Sequence, residues 1–203
     1  DSDYARGVYK QLAATGLAVT PTLNMGRILA YLDQEDHSGD PALALIGPGL
    51  RETYEWRVER AAKATPEQVC ARHREYELSA RVLPMLHDAG IPILAGTDAG
   101  YLNSFNYPGQ GLHDELQRHV EAGLTPAEAL ASATITGPAF LGHSDRYGAV
   151  AEGKAADLLI LDANPLEDIS ATRRIHAVIL KGQLLDRAAL DRLLNEAKAR
   201  AAR

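Results

Sequence analysis

The sequence of 203 residues holds a single cysteine, Cys70, which rules out an internal disulfide framework and any zinc cluster built from several cysteines. It has no basic run able to track phosphates. With 21 Lys+Arg against 27 Asp+Glu, the net charge is −6 and the isoelectric point is near 5.6, so nucleic acid and anionic membranes are not expected partners. No stretch reaches the roughly 18 to 20 uninterrupted apolar residues of a membrane span. The first residues also lack the basic segment followed by an apolar one that marks a secretory leader. A soluble chain is expected, and a reducing, cytoplasmic compartment fits the lone thiol. No two of the seven histidines stand one residue apart, and His-Glu-x-x-His, Gly-x-Ser-x-Gly, the phosphate loop and the dinucleotide fingerprint are all absent. There is no solenoid-period repeat and no low-complexity tract. The chain opens Asp1-Ser2-Asp3 without a methionine, so position 1 is expected to be a processed end or the interior of a longer protein.

What is present is 46% hydrophobic residues, enough to bury a sizeable core. Ala5, Val8, Tyr9 and Leu12 predict a helix over 2–16 that stops at Gly16, followed by the apolar run Leu17 to Leu23 as a buried strand. The pattern repeats: Thr65-Pro66-Glu67-Gln68 is a capping box with proline at the first helical position, so a long helix is expected up to Ala89-Gly90. Ile91 to Asp98 is then a second apolar strand. Two helix-to-strand units with continuous apolar strands imply a parallel sheet covered by helices, hence an α/β fold. Residues 24–64 are far longer than an ordinary connection of about 2 to 6 residues, so they predict a functional excursion with its own helices. After Asp98, helices are expected around Leu112 to Val120 and from Thr125-Pro126-Ala127-Glu128 onward. Past Gly148 the texture becomes that of antiparallel strands and a hairpin, with a final amphipathic helix over 188–202.

The sharpest chemical feature is Ala95-Gly96-Thr97-Asp98-Ala99-Gly100, a carboxylate at a strand end between small residues. It has two functional uses, as an oxygen ligand for a divalent metal and as a proton shuttle, and one bland one, as a cap for the following loop. His113, with Glu115, opens the helix after that loop, which puts both near the strand-end face and makes His113 a candidate substrate contact. Thr20 and Thr22 end the first strand, and Tyr101, Asn103 and Tyr107 follow Asp98; each is a weaker candidate for the same pocket. His73 and His87 lie on an apolar helical stripe, and His37, His143 and His176 have no special context.

In their order along the chain, these pieces resemble the C-terminal part of the amidohydrolase superfamily, its imidazolonepropionase-like and Xaa-Pro dipeptidase-like branch. Val19 to Leu23 is similar to the penultimate strand of that family's barrel and Ile93 to Ala99 to the last. Leu112-His113-Asp114-Glu115-Leu116, Glu121 to Pro126 and Ala129 to Thr134 are similar to its post-barrel helices. Gly148 to Leu158 and Asn164-Pro165-Leu166 are similar to its return into a small β-sandwich. The resemblance implies the last two strands and helices of a TIM-like (β/α) barrel over 1–146, part of a composite β-sandwich over 147–186 and a C-terminal helix over 187–203. It also implies a metal-dependent hydrolase of C–N bonds in amides, cyclic amides or dipeptides, with one or two divalent ions, zinc being the expected one. Of the family's ligands only the eighth-strand aspartate maps here, onto Asp98, as metal ligand and catalytic proton shuttle. The remaining ligands, and the N-terminal half of the barrel, are expected outside these residues, since such barrels take roughly 250 residues. The expected partners are therefore that missing half and a small amide or peptide substrate, with a homo-oligomer mate as a further expectation. The competing expectation is a non-catalytic relative that uses the barrel as a scaffold.

Overall fold

The computed structural model describes residues 2–100 and 103–203. Helix α1 (Ser2–Ala13) ends in a left-handed Gly16 with φ of 77°, as its sequence predicts. The two expected strands are present as parallel neighbours but are much shorter than their apolar runs. They meet at one bridge, Val19 to Ile93, where the Val19 amide donates to the Pro92 carbonyl (2.9 Å) and the Leu94 amide donates to the Val19 carbonyl (2.8 Å). Among the described residues regular pairing between the two segments is confined to this bridge. Gly96 lets the two segments run close, because a Cβ at this position would overlap the Thr20 methyl.

The first expected strand is also cut short at its end. Leu23, placed in the strand by its apolar character, is instead the first residue of α2 (Leu23–Tyr31). The excursion contains this helix, a 3-10 turn at Pro41–Leu45 and α3 (Pro48–Ala62). It has a core of its own, in which Ile28, Leu32, Ala42, Tyr54 and Ala61 close around Phe105 and Tyr107 from the loop after Asp98. Helix α4 (Pro66–Asp88) returns to the second strand segment. Its capping box forms as expected, with the Gln68 amide donating to Thr65 Oγ1 and the Thr65 amide to Gln68 Oε1. Leu83 of α4 packs with Leu23, Ile93 and Leu124 beneath the bridge.

Helix α5 (Gln110–Glu121) crosses to α6 (Pro126–Ala133), whose capping box joins Thr125 and Glu128, and a short α7 (Thr136–Phe140) follows. Strands β1 (Leu158–Leu161), β2 (Ile175–Leu180) and β3 (Gln183–Leu185) then form the expected antiparallel sheet in the order β1-β2-β3. A 3-10 turn at Ile169–Arg173 fixes this sheet to the helices, because Ile169 is buried with Leu116 and Ala129. The expected final helix is present as α8 (Arg187–Ala201), lying on the surface with none of its residues fully buried. Among the described residues no helix is long and apolar enough to cross a membrane.

Candidate functional site

Both strand segments end in strained backbone. Thr22 has φ of 48° and Asp98 φ of 50°, the left-handed region that a β-branched residue such as threonine rarely enters. Holding a residue there costs on the order of 1–3 kcal/mol and persists only where the surroundings over-determine it. At Thr22 the restraint comes from Glu115, whose carboxylate is wholly buried. Its Oε1 accepts from the Leu23 amide (2.9 Å) and its Oε2 from the Asn24 amide (2.6 Å), satisfying two of the free N–H groups at the start of α2 and opposing the positive end of its dipole. Helix capping by a residue distant in sequence explains why the chain turns helical at Leu23. Behind the carboxylate, His119 Nε2 lies 3.1 Å from Glu115 Oε1, and Ser132 Oγ lies 3.3 Å from His119 Nδ1.

At Asp98 the restraint comes from asparagines. Asn103 Nδ2 donates to the Asp98 carbonyl and Asn106 Nδ2 to the Thr97 carbonyl, while the Ala99 amide donates to Thr97 Oγ1 at 3.2 Å. The two restraints are one network, because Asn24 Nδ2 donates to Asn106 Oδ1 at 3.2 Å. Gly111 permits this geometry, since a Cβ there would strike Asn106 Oδ1. Asn24, Asn106, Glu115 and His119 are all buried, so the network is satisfied away from water, where each lost partner is expensive.

The Asp98 side chain itself is exposed rather than packed on a strand face with Leu94 and Gly96, because pairing stops at Leu94 and the backbone turns before Asp98. It therefore presents an acceptor-only carboxylate at the C-terminal end of the parallel segments, where α/β barrels and open sheets place their chemistry. A carboxylate in that position suits one oxygen ligand of a divalent cation. Among the described residues no three His, Cys, Asp or Glu side chains stand together as a cation site.

His113 sits half-buried in α5, with its Nδ1 enclosed and lacking a hydrogen-bond partner. Burial, followed by the nearby Arg173 guanidinium, holds its imidazole below the ordinary histidine range, against a smaller opposing pull from Asp114. Asp114 pairs with Arg173, on the turn that fixes the antiparallel sheet, so His113 stands where α5 meets that sheet. A lowered folded-state pKa means that the unfolded chain takes up a proton at His113 that the folded chain refuses. Stability from this group is therefore full above the unfolded pKa of about 6.5 and declines as pH falls through it. Unfolding by urea from about pH 7 down to about pH 5 should show a shallower loss of stability in His113→Gln than in the parent. Equal slopes would remove His113 as the cause.

The other candidates divide plainly. Asn103 positions the Asp98 backbone, and buried Tyr107 donates its hydroxyl to Asp40 Oδ2 at 3.0 Å. That phenol is pushed up strongly, first by burial and then by the Asp40 hydrogen bond. Tyr101 lies outside the described residues. His73 stacks on Tyr31 and lies 3.1 Å from Asp33, and Cys70 is exposed. Two histidines matter more than their sequence context suggests: His119, through Glu115, and His37. The His37 ring stacks on Phe105 with centroids 4.5 Å apart, and its Nδ1 lies 3.1 Å from Asp40 Oδ2. His37 and Phe105 border a cavity of about 890 Å³ in the excursion.

Comparison with known proteins agrees with this architecture. Ochratoxinase of Aspergillus niger is 39% identical over 92 residues, which are 44% of this chain and 18% of that protein. Imidazolonepropionase of Streptococcus pyogenes serotype M3 is 33% identical over 105 residues, 48% of this chain and 23% of that protein. Among solved structures, a bottromycin amidohydrolase superposes with a TM-score of 0.67 over 90% of this chain and 39% of its own, and at 24% identity it speaks for the fold alone. A Xaa-Pro dipeptidase with methionine bound in its active site superposes with a TM-score of 0.54 at 26% identity, over 82% of this chain and 34% of its own. The chain thus spans about a fifth of the curated relatives' length and little more than a third of these structures. The sequence pattern of the Amidohydrolase family matches residues 50–185, most of the chain, and carries both the second strand segment with Asp98 and the antiparallel sheet. The chain belongs to the amidohydrolase family.

Proposed function

We propose that this chain supplies the closing strands of a metal-dependent amidohydrolase barrel, and that Asp98 is both its contribution to the metal site and its proton shuttle. The observation that carries this reading is an exposed carboxylate on a left-handed backbone at the mouth of two parallel segments, held there by a buried network in a chain of this family. Residues 1–146 would be the barrel portion, and the antiparallel sheet would be part of a sandwich completed by chain outside these residues. The substrate is a small molecule with a C–N bond: an amide, a cyclic amide or a dipeptide.

A divalent ion, zinc being the expected one, supplies Lewis acidity, lowering the pKa of a water toward neutrality and polarising the scissile carbonyl. Asp98 would hold that ion through one carboxylate oxygen. As water adds to the carbonyl carbon, the carboxylate takes its proton and then delivers it to the departing nitrogen, so that the C–N bond breaks to a carboxylate and an amine. Asn103 and Asn106 keep the carboxylate aimed at the reacting atoms by fixing the backbone on either side of it.

Metal removal tests the reading. Full-length protein dialysed against a chelator should lose hydrolysis of amides and dipeptides and regain it on addition of zinc, with about one or two ions bound per chain at full activity. Undiminished hydrolysis in metal-free protein, or full-length protein that binds no stoichiometric metal, would overturn it.

A further inference from the structure

The cavity beside the Asp98 loop has a chemistry that the hydrolytic reading leaves unused. Its floor is aromatic and apolar: Phe105, with His37 stacked on one face and Tyr54 at 5.0 Å edge-on, continues into Leu32, Leu43 and Val58. Its volume of about 890 Å³ is that of a small-molecule site. Phe105 itself is held at φ of 63°, a further left-handed residue on the loop that runs from Asp98, so the floor is set in place by strained backbone and not by strand geometry. Asn103, two residues before Phe105 on the same loop, donates to the Asp98 carbonyl.

Five carboxylates line the same cavity against one arginine. Glu35 is neutralised by a paired contact with Arg27 at 2.5 and 2.9 Å, and Asp33 is engaged 3.1 Å from the His73 Nε2. Asp36 is occupied by the Ser38 amide and hydroxyl. Glu55 and Glu59 are different. They stand four residues apart on the exposed face of α3, where like charges repel, and among the described residues neither makes an ion pair. The Arg51 guanidinium on the same wall donates to the Leu43 carbonyl. Meanwhile His37 Nε2 is enclosed without a hydrogen-bond partner at the cavity wall. An apolar and aromatic floor beneath a wall of net negative charge draws a cation to the carboxylates and an apolar body to the floor.

We propose that this cavity selects substrates carrying a protonated amine on an apolar or aromatic body, with Glu55 and Glu59 facing the ammonium and the Phe105–Tyr54 floor taking the body. The proposal rests on the hydrolytic reading of Asp98 and names the class of amide that the site accepts.

Binding of three matched probes to the full-length protein tests it: phenethylammonium, 2-phenylethanol and 3-phenylpropionate, measured by calorimetry at low ionic strength. The cation should bind at least about tenfold more tightly than the anion, with the alcohol between them, and the Glu55→Gln/Glu59→Gln double variant should cut that ratio at least about fivefold. Added salt should weaken only the cation. Equal affinities, a tighter anion, a ratio unchanged in the double variant, or no binding because another part of the protein fills the cavity would each overturn the proposal. Its failure is separable from that of the hydrolase. Amide hydrolysis with no cation preference would sink the cavity assignment alone. A cation preference retained in full-length protein that hydrolyses no amide would sink the Asp98 chemistry and leave the cavity assignment standing.

Discussion

Asp98→Asn in the full-length protein is expected to lower kcat for amide hydrolysis by at least about a hundredfold, the low end of what a positioned acid–base group contributes. The substitution isolates chemistry from folding unusually well. Asp98 occupies left-handed backbone, and asparagine is the other common residue that tolerates it, so the main-chain geometry held by Asn103 should survive. The side chain is exposed, so no packing is lost. What disappears is the second carboxylate oxygen, and with it the group proposed to hold the ion and carry the proton. Because the carboxylate is assigned to the reacting atoms and not to the body of the substrate, KM should change little while kcat falls. Steady-state kinetics on one dipeptide and one simple amide, alongside the urea midpoint of the same preparation, separates the outcomes. A kcat within about threefold of the parent, with the fold intact, would take Asp98 out of the mechanism.

How much of this was legible in the residues depends on the range over which each feature is determined. The two capping boxes, Thr65 with Gln68 and Thr125 with Glu128, are closed within four residues, and both formed as their spacing predicts. The antiparallel strands around Lys181-Gly182 were equally readable, because a left-handed pair at a hairpin turn is a local matter. The parallel segments were legible in position but not in extent. Their apolar runs set where they lie, whereas ladder length depends on neighbouring strands, and Val19 has one such neighbour here. Leu23 was misread as strand because its helical state depends on a carboxylate 92 positions away. Glu115 and His119 did carry a signal, an acid and a histidine one helical turn apart, but nothing local says that this turn is fully buried. His37 carried none. Its importance comes from Phe105, Tyr54 and the cavity, which only the folded excursion brings together.

The second large effect belongs to Glu115. Replacing it by alanine leaves three buried groups without their partner: the amides of Leu23 and Asn24 and the Nε2 of His119. Hydrogen bonds to a charged group each contribute about 1.5–3 kcal/mol, and stranding the members of a buried charged cluster costs about 3–5 kcal/mol, so Glu115→Ala should lower the unfolding free energy by about that amount. Glu115→Gln is the informative companion. Its carbonyl can still serve one amide, but its NH2 must face the other donor, so a smaller loss is expected, concentrated at the start of α2. The network predicts more than a loss of stability. Asn24 joins Glu115 to Asn106, and Asn106 holds the Thr97 carbonyl next to Asp98. Glu115→Gln and Asn106→Ala should therefore be non-additive, with a coupling of about 0.5–3 kcal/mol in a double-mutant cycle read by urea unfolding, whereas independent sites would add to within about 0.5 kcal/mol. Additivity would mean that Glu115 caps α2 and does no more. Coupling would mean that the left-handed turn at Thr22 and the one at Asp98 are set by one buried assembly, so that the carboxylate proposed to do the chemistry is aimed by a buried glutamate on another helix.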